Sequence, residues 1–412
     1  MSSINRNFNS LFLKNQFRRI IKNTDFGNII FFFPKYNFGG GEVVHLNILK
    51  IFKDYKTTCF ITNQEEGKKI TNEFKLYSNV VNLSRFALKY ECFAKLIAKE
   101  INKKENAIVF GSNTIFFYKI IPFLKNNVKV IDLSHAFSYE HSNAIEIKSL
   151  PYIKRINKRI VLGNKTKNDF KNLYLKNNID LKELDKFLVI KNKVDTPNTY
   201  LTKPISKVLN ILFVGRSSSE KRPELFVELA RHCQSLDYNF KFTLVGDFEK
   251  KESLPNNLCI TGKIDDKIKL NNIYHNHDVI LCLSTREGLP LVLLEAMAYG
   301  VIPISTVIGE ISDLINKENK NGFIIEDESI KEWFVKKRQN KLYNKWKTNY
   351  KYQCNELEII FLEKVISKLL LLQQNKELKN LISKNAYESV KREHSEERNT
   401  KAYFDLFFNH SI

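Results

Sequence analysis

Two glutamates eight positions apart, Glu287 and Glu295 in STREGLPLVLLEAMAYGVIPIS, carry the clearest chemical signal in this chain. Glu287 follows the short aliphatic run DVILCL, which reads as a buried strand, and precedes Pro290. Proline suits the first position of a helix, where its missing N–H costs nothing. The spacing therefore puts Glu287 in a strand-to-helix loop and Glu295 about one and a half turns into the helix. The free N–H groups and partial positive charge of a helix start hold phosphate. Eight residues of helix rise roughly 12 Å, so one carboxylate can meet a sugar on one side of a diphosphate and the other a ribose beyond it. Glu295 has apolar neighbours in Val292, Leu293, Leu294, Ala296 and Met297. A buried carboxylate there requires a partner; on an amphipathic surface helix it would simply be solvated.

A second motif, VLNILFVGRSSSEKRPELFVELA, reads as strand, polar loop and helix, with Arg216 and Lys221 bracketing SSSE. A guanidinium and an ammonium placed so can neutralise a departing diphosphate through charge-assisted bonds. A solvated basic loop in a lysine-rich chain would look the same. The third motif, NIIFFFPKYNFGGGEVVHLNILK, is a strand, a glycine loop and a helix. Glycines let backbone amides approach a ligand closely, but the G-x-G-x-x-G pattern of a dinucleotide fingerprint is absent.

These segments resemble the retaining glycosyltransferases of family 4 (group 1 type), which have the GT-B fold. The resemblance rests on Ser284, Glu287 and Glu295, on Gly215, Arg216 and Lys221, and on Gly39, Gly40 and Glu42. It implies that Glu287 contacts the transferred sugar, that Glu295 holds the ribose hydroxyls, and that Arg216, Lys221 and the amides around Gly288, Leu289, Pro290 and Leu291 hold the diphosphate. Gly262 and Lys263 fall with Gly39, Gly40 and Gly215 among the donor-binding positions. His135 follows the strand VKVIDLS, at the carboxyl end of a sheet, where open α/β folds bind ligands. The family often has a histidine there that reaches the donor sugar; a hydrogen-bonded loop histidine is the plainer reading. Retention at the anomeric carbon is implied by the resemblance alone, and no nucleophile stands out. Two departures touch the ligand loops: LVGDFEK lacks the glycine many relatives carry after Val-Gly-Asp, and Gly309-Glu310 stands where a Gly-Gly pair is common.

The pair His275 and His277 has no third ligand nearby and reads as surface before a strand. No Asp-x-Asp motif occurs, so no cofactor and no metal are expected, the nucleotide sugar being a substrate.

The elements that must position these residues alternate. NIIFFF, TTCFIT, NVVNL, AIVFG, VKVIDL, RIVLG and FLVI are separated by helical stretches; LNILFVG, KFTLVGD, LCITG, DVILCL, VIPIST and GFIIE follow a polar break near 192–207. Such alternation implies parallel sheets with right-handed crossovers. The expected fold is α/β: two Rossmann-like domains of GT-B type, each a mostly parallel sheet flanked by helices, with the cleft between them that the resemblance implies. The expected division is an acceptor-side domain at 1–206, a nucleotide-sugar donor domain at 207–385, and a helix at 386–412 crossing back to the first. Asn192 and Asp195 resemble the family's Asn-x-x-Asp junction.

Of the 412 residues, 66 are Lys or Arg and 45 Asp or Glu, for a net charge of +21. Residues 1–206 hold 35 Lys+Arg and 17 Asp+Glu, a net of +18, which leaves +3 for the remainder. This asymmetry suggests an anionic glycan or lipid-linked acceptor, or an anionic membrane surface. Residues 8–22 set Leu13, Phe17, Ile20 and Ile21 on one helical face with Lys14, Arg18 and Arg19 elsewhere; residues 148–159 hold Lys148, Lys154, Arg155, Lys158 and Arg159. An interfacial helix looks like this, and so does a helix packed on a core with a wet basic face. Six cysteines without a C-x-x-C pair suit reduced thiols and a cytoplasmic location, with peripheral attachment to the inner face of the membrane as a further expectation. No apolar run reaches the ~18 residues of a membrane span. The expected partners are a UDP- or GDP-sugar and a glycan or lipid-linked acceptor, as in cell-surface polysaccharide or lipopolysaccharide synthesis. Nucleic acid is not expected, for want of a recognised motif. A non-catalytic subunit of the same fold and a nucleotide-sugar epimerase remain alternatives.

Overall fold

The computed structural model describes residues 2–35, 39–63, 71–86, 91–137, 144–203, 206–248, 254–316, 318–339 and 352–408. The chain divides into two units, one of 1–191 with 400–412, the other of 192–399.

The first unit holds seven strands: β1 Ile29–Phe33, β2 Thr57–Ile61, β3 Asn79–Asn82, β4 Ile108–Ser112, β5 Lys129–Ser134, β6 Lys158–Val161 and β7 Phe187–Val189. They form one sheet in the order β3-β2-β1-β4-β5-β6-β7, and every neighbouring pair is parallel. All residues of β1, β2 and β4 are buried, as unbroken apolar runs are when helices cover both faces of a parallel sheet. The strand order reverses between β1 and β4.

The second unit holds six: β8 Leu209–Val214, β9 Phe240–Val245, β10 Leu258–Gly262, β11 Val279–Cys282, β12 Ile302–Thr306 and β13 Phe323–Ile325. Their order is β10-β9-β8-β11-β12-β13, again parallel throughout. Here the order reverses between β8 and β11. Each expected strand is present, and the expected fold class of two Rossmann-like α/β units is the observed one.

Two expected boundaries need correction. The polar stretch after Lys191 belongs to the second unit, so the division falls at 191/192 and not at 206/207. His394 bonds the Asn192 carbonyl through Nδ1 at 2.6 Å and accepts from the Val194 amide at 3.1 Å. Tyr387 donates to the Pro197 carbonyl at 2.9 Å. The final helix, Glu396–Phe408, joins the first unit only from Thr400, where Phe407 packs on Phe52 with ring centres 4.3 Å apart.

Within the helix Ser2–Asn23, the apolar residues of 13–21 that could form an interfacial face pack on the core instead. Phe17 is fully buried, 4.2 Å from the Phe93 ring and 5.1 Å from Phe86, with Ile21 buried beside it and Leu13 and Ile20 packed on the same core. Arg18 and Arg19 remain exposed. Arg159, counted with the basic surface, is buried: its guanidinium grips both Asp132 oxygens (2.6 and 2.9 Å) and lies 4.5 Å from the Phe170 ring. Among the described residues no helix is long and apolar enough to cross a membrane.

Candidate active site

In the second unit the site grows from the loops that follow β8 and β11, the strands on either side of the order reversal. Ligands of open α/β sheets bind at the carboxyl ends of strands at such a point. After β8 the chain makes a single 3-10 turn, Ser219–Lys221, and then a helix, Pro223–Ser235. Arg222 joins them in the left-handed region, with φ 49°. It is wholly buried, donates from Nε to the Leu283 carbonyl at 2.7 Å and from Nη1 to Ser329 Oγ at 3.0 Å, and pairs with Asp327. The Thr285 amide donates to the Glu220 carbonyl at 2.8 Å. These bonds lock the two loops together.

Lys221 forms an ion pair with Glu287, and Ser284 Oγ donates to the same carboxylate oxygen, Oε1, at 2.8 Å. The three motif residues thus meet although 66 positions separate Lys221 from Glu287. Arg216 does not join them. Its side chain is 67% exposed and lies 3.4 Å from Glu220. Gly309 supports the Glu287 loop from beneath: at φ 49°, a Cβ on it would sit 2.2 Å from the Gly288 carbonyl oxygen and 2.4 Å from that of Glu287. The next amide, Glu310, donates to the Gly288 carbonyl at 2.9 Å.

Pro290 caps the helix Leu291–Ala298 from outside and is not its first residue; its carbonyl accepts from the Leu293 amide at 3.1 Å. Leu289 and Leu291 are buried. Glu295, in that helix, accepts from the buried Tyr274 hydroxyl at 2.9 Å. Burial pushes its carboxyl above the usual range, partly offset by this bond. Tyr274 is the partner that a carboxylate among apolar residues requires.

On the far side of β8, Gly215 bonds the Val245 carbonyl at 3.0 Å and Gly246 the Gly262 carbonyl at 3.1 Å. A Cβ on Gly246 would lie 1.9 Å from the Gly215 oxygen, so position 246 requires glycine, whereas Gly262 has open space around it but a φ of 78° that favours glycine. Asp247 accepts from the Ser217 amide at 2.6 Å. Lys263 pairs with Asp265 at 2.7 Å on the surface.

In the first unit Gly39 caps the helix Gly40–Ile51, which begins at Gly40. His135 follows β5. Its Nε2 lies 3.0 Å from Nε2 of His45, which lies 3.0 Å from Ser112 Oγ at the end of β4. His45 stacks flat on Phe33 at 4.1 Å. Burial drives His135 down to about 4 and His45 well below its ordinary value, so both rings are neutral at pH 7. Sequence reasoning missed His45, although it shares a helix face with the apolar Ile48 and Leu49, a setting that marks a buried polar group. It also missed Arg222 and Tyr274, which no local signal reveals. His277, expected at the surface, is instead half-buried, with its ring nitrogens on the Ile273 carbonyl (2.6 Å) and Thr243 Oγ1 (2.8 Å), because the helix before β11 turns it into the fold.

The family model described as "Glycosyl transferases group 1" matches residues 203–353, a segment that contains Gly215, Arg216, Lys221, Gly262, Lys263, Glu287 and Glu295. The chain has the fold of GT-B proteins, and the matched segment, less than half of its length, lies within the second unit. Among particular proteins, it is 28% identical over 175 residues to the GalNAc-alpha-(1->4)-GalNAc-alpha-(1->3)-diNAcBac-PP-undecaprenol alpha-1,4-N-acetyl-D-galactosaminyltransferase of Campylobacter jejuni, across 40% of this chain and about half (48%) of that protein. It is 25% identical over 309 residues to the O-antigen biosynthesis glycosyltransferase WbnH of Escherichia coli, across 73% of this chain and 86% of that one. The crystal structure of Anabaena Alr3699/HepE in complex with UDP superposes with a TM-score of 0.68 at 14% identity, across 92% of this chain and 99% of that one.

Proposed function

We propose that the protein is a glycosyltransferase that moves a sugar from a UDP- or GDP-sugar to a glycan or lipid-linked acceptor, with retention, in the synthesis of a cell-surface polysaccharide. The observation that carries this reading is the joining of Lys221, Ser284 and Glu287 at the order reversal of the second sheet, beside a helix start and with Glu295 further along that helix. Bonds from Lys221 and Ser284 both fall on Oε1 of Glu287, which leaves Oε2 to accept from sugar hydroxyls. Lys221, Arg216 and the amides of 288–291 would stabilise the departing diphosphate as charge develops on it. Because these cations can balance that charge, the transfer is proposed to need no metal. Glu295 would accept from the ribose. His135 would donate to a sugar hydroxyl. The relatives' printed activities and the UDP held by a structure of the same fold support the donor class and the kind of pathway. The excess of basic residues in the first half favours an anionic acceptor, at or near an anionic membrane surface.

Thermal-shift binding of a panel of nucleotide sugars, then mass spectrometry of products, tests the reading. Glu287→Gln is expected to keep UDP affinity and lose transfer, and Glu295→Gln to lose UDP affinity. Isomerised nucleotide sugar as product would favour an epimerase. Absence of any donor binding would favour a non-catalytic subunit. The reverse pattern in the two variants would invert the proposed orientation of the donor.

A further inference from the structure

The helix Gly40–Ile51 brings a second histidine, His45, to the first unit's candidate site beside Ser112 of β4, and its hydrogen bonds constrain a proton. His45 Nε2 lies 3.0 Å from both His135 Nε2 and Ser112 Oγ. His45 Nδ1 is buried and has no hydrogen-bond partner. A buried N–H without an acceptor is rarer in folded proteins than a buried lone pair without a donor. The proton of neutral His45 therefore belongs on Nε2. Two N–H groups cannot face each other at 3.0 Å, so His135 Nε2 must offer its lone pair there. A neutral imidazole carries one proton, and that of His135 is then on Nδ1. Among the described residues Nδ1 of His135 has no partner.

We infer that His45 is a positioning residue: its Nε2–H fixes His135 in the Nδ1–H tautomer and so turns Nδ1 of His135 into a hydrogen-bond donor for a hydroxyl oxygen of the bound sugar. The stacking of His45 on Phe33, with planes 9° apart, holds the donating nitrogen in place. Ser112 lies within reach of the same N–H and helps to keep that ring from turning. The role in transfer rests on the proposed contact of His135 with the sugar; the tautomer does not.

Imidazole ¹⁵N–¹H correlation spectra of the wild-type protein at pH 7.5, assigned with His135→Gln, test the tautomer directly. The expected spectrum has protonated Nδ1 on His135 and protonated Nε2 on His45. A proton on Nε2 of His135, or on Nδ1 of His45, overturns the inference. His45→Leu should release His135 into a mixture of tautomers and lower kcat about tenfold, the worth of one good hydrogen bond, with UDP affinity by calorimetry unchanged. His45→Gln, whose amide N–H reaches about where Nε2 does, should restore both the tautomer and the rate. A folded His45→Leu protein with unchanged kcat overturns the positioning role. Release of UDP is followed with UDP-glucose, UDP-galactose and their N-acetylhexosamine counterparts. If none of them nor any other nucleotide sugar is used by the wild type, the glycosyltransferase reading fails, while the spectra still decide the hydrogen bond.

Discussion

Lys221 and Arg216 are both assigned to the diphosphate, yet the structure separates what each does for stability. The Lys221 side chain is 19% exposed and its partner Glu287 11%, whereas Arg216 is 67% exposed. Removing one member of a fully buried ion pair costs about 3–5 kcal/mol because the other charge is stranded. This pair is nearly but not wholly buried, and Ser284 still donates to Glu287, so Lys221→Met should cost about 2 kcal/mol. For a domain of about 150–250 residues that lowers Tm by about 4–8 °C. Arg216→Ala should stay within about 0.5 kcal/mol, as surface changes do. Both should reduce turnover on the order of 100-fold, the effect of losing one donor to a developing oxyanion. Thermal unfolding by circular dichroism and release of UDP from the best nucleotide sugar, measured on both variants, separate the two effects. A Lys221→Met protein as stable as wild type would refute the pair in the ligand-free state. Near-normal turnover in both variants would remove them from the site.

Gly309→Ala should push the 287–288 loop away, since its Cβ would meet two carbonyl oxygens at 2.2 and 2.4 Å; turnover is expected to fall by an order of magnitude or more, and UDP affinity by calorimetry to fall with it, because the 288–291 amides proposed for the diphosphate would move with the loop. Glu224, whose Oε2 is buried without a partner, is raised to about 7 by burial. Because its folded value lies above its unfolded value near 4.5, its protonated form favours folding below that pH, and this contribution is lost as pH rises through about 7. Glu224→Gln should therefore leave stability unchanged at pH 4 and raise it by about 2–3 kcal/mol at pH 8; urea unfolding at the two values checks the sign. Charge reversal at exposed Arg18 and Arg19 should weaken binding to vesicles containing phosphatidylglycerol without moving Tm, and equal binding at all salt concentrations would dismiss the basic face. Arg159→Glu should fail to fold, because it places two carboxylates together in the core with Asp132; a soluble, cooperative variant would contradict that burial.

The chain by itself determined the strands. Runs such as NIIFFF and DVILCL are short, apolar and bounded by turn residues, and those local features fix an extended buried segment without distant partners. It also determined the Glu287 loop and the helix after it, because a proline and a change of period mark that junction within a few residues. Tertiary structure decided the rest, for one physical reason: each remaining feature depends on which distant groups share a low-dielectric space. A helix with an apolar face reads the same on a membrane as on a core, and only Phe86 and Phe93 show that Phe17 is inside. Arg159 looks like its basic neighbours until β5 brings Asp132 alongside. Which half owns the linker depends on His394, about two hundred residues away. The tautomer of His135 hangs on His45, 90 positions earlier, and on a strand order that local sequence does not encode.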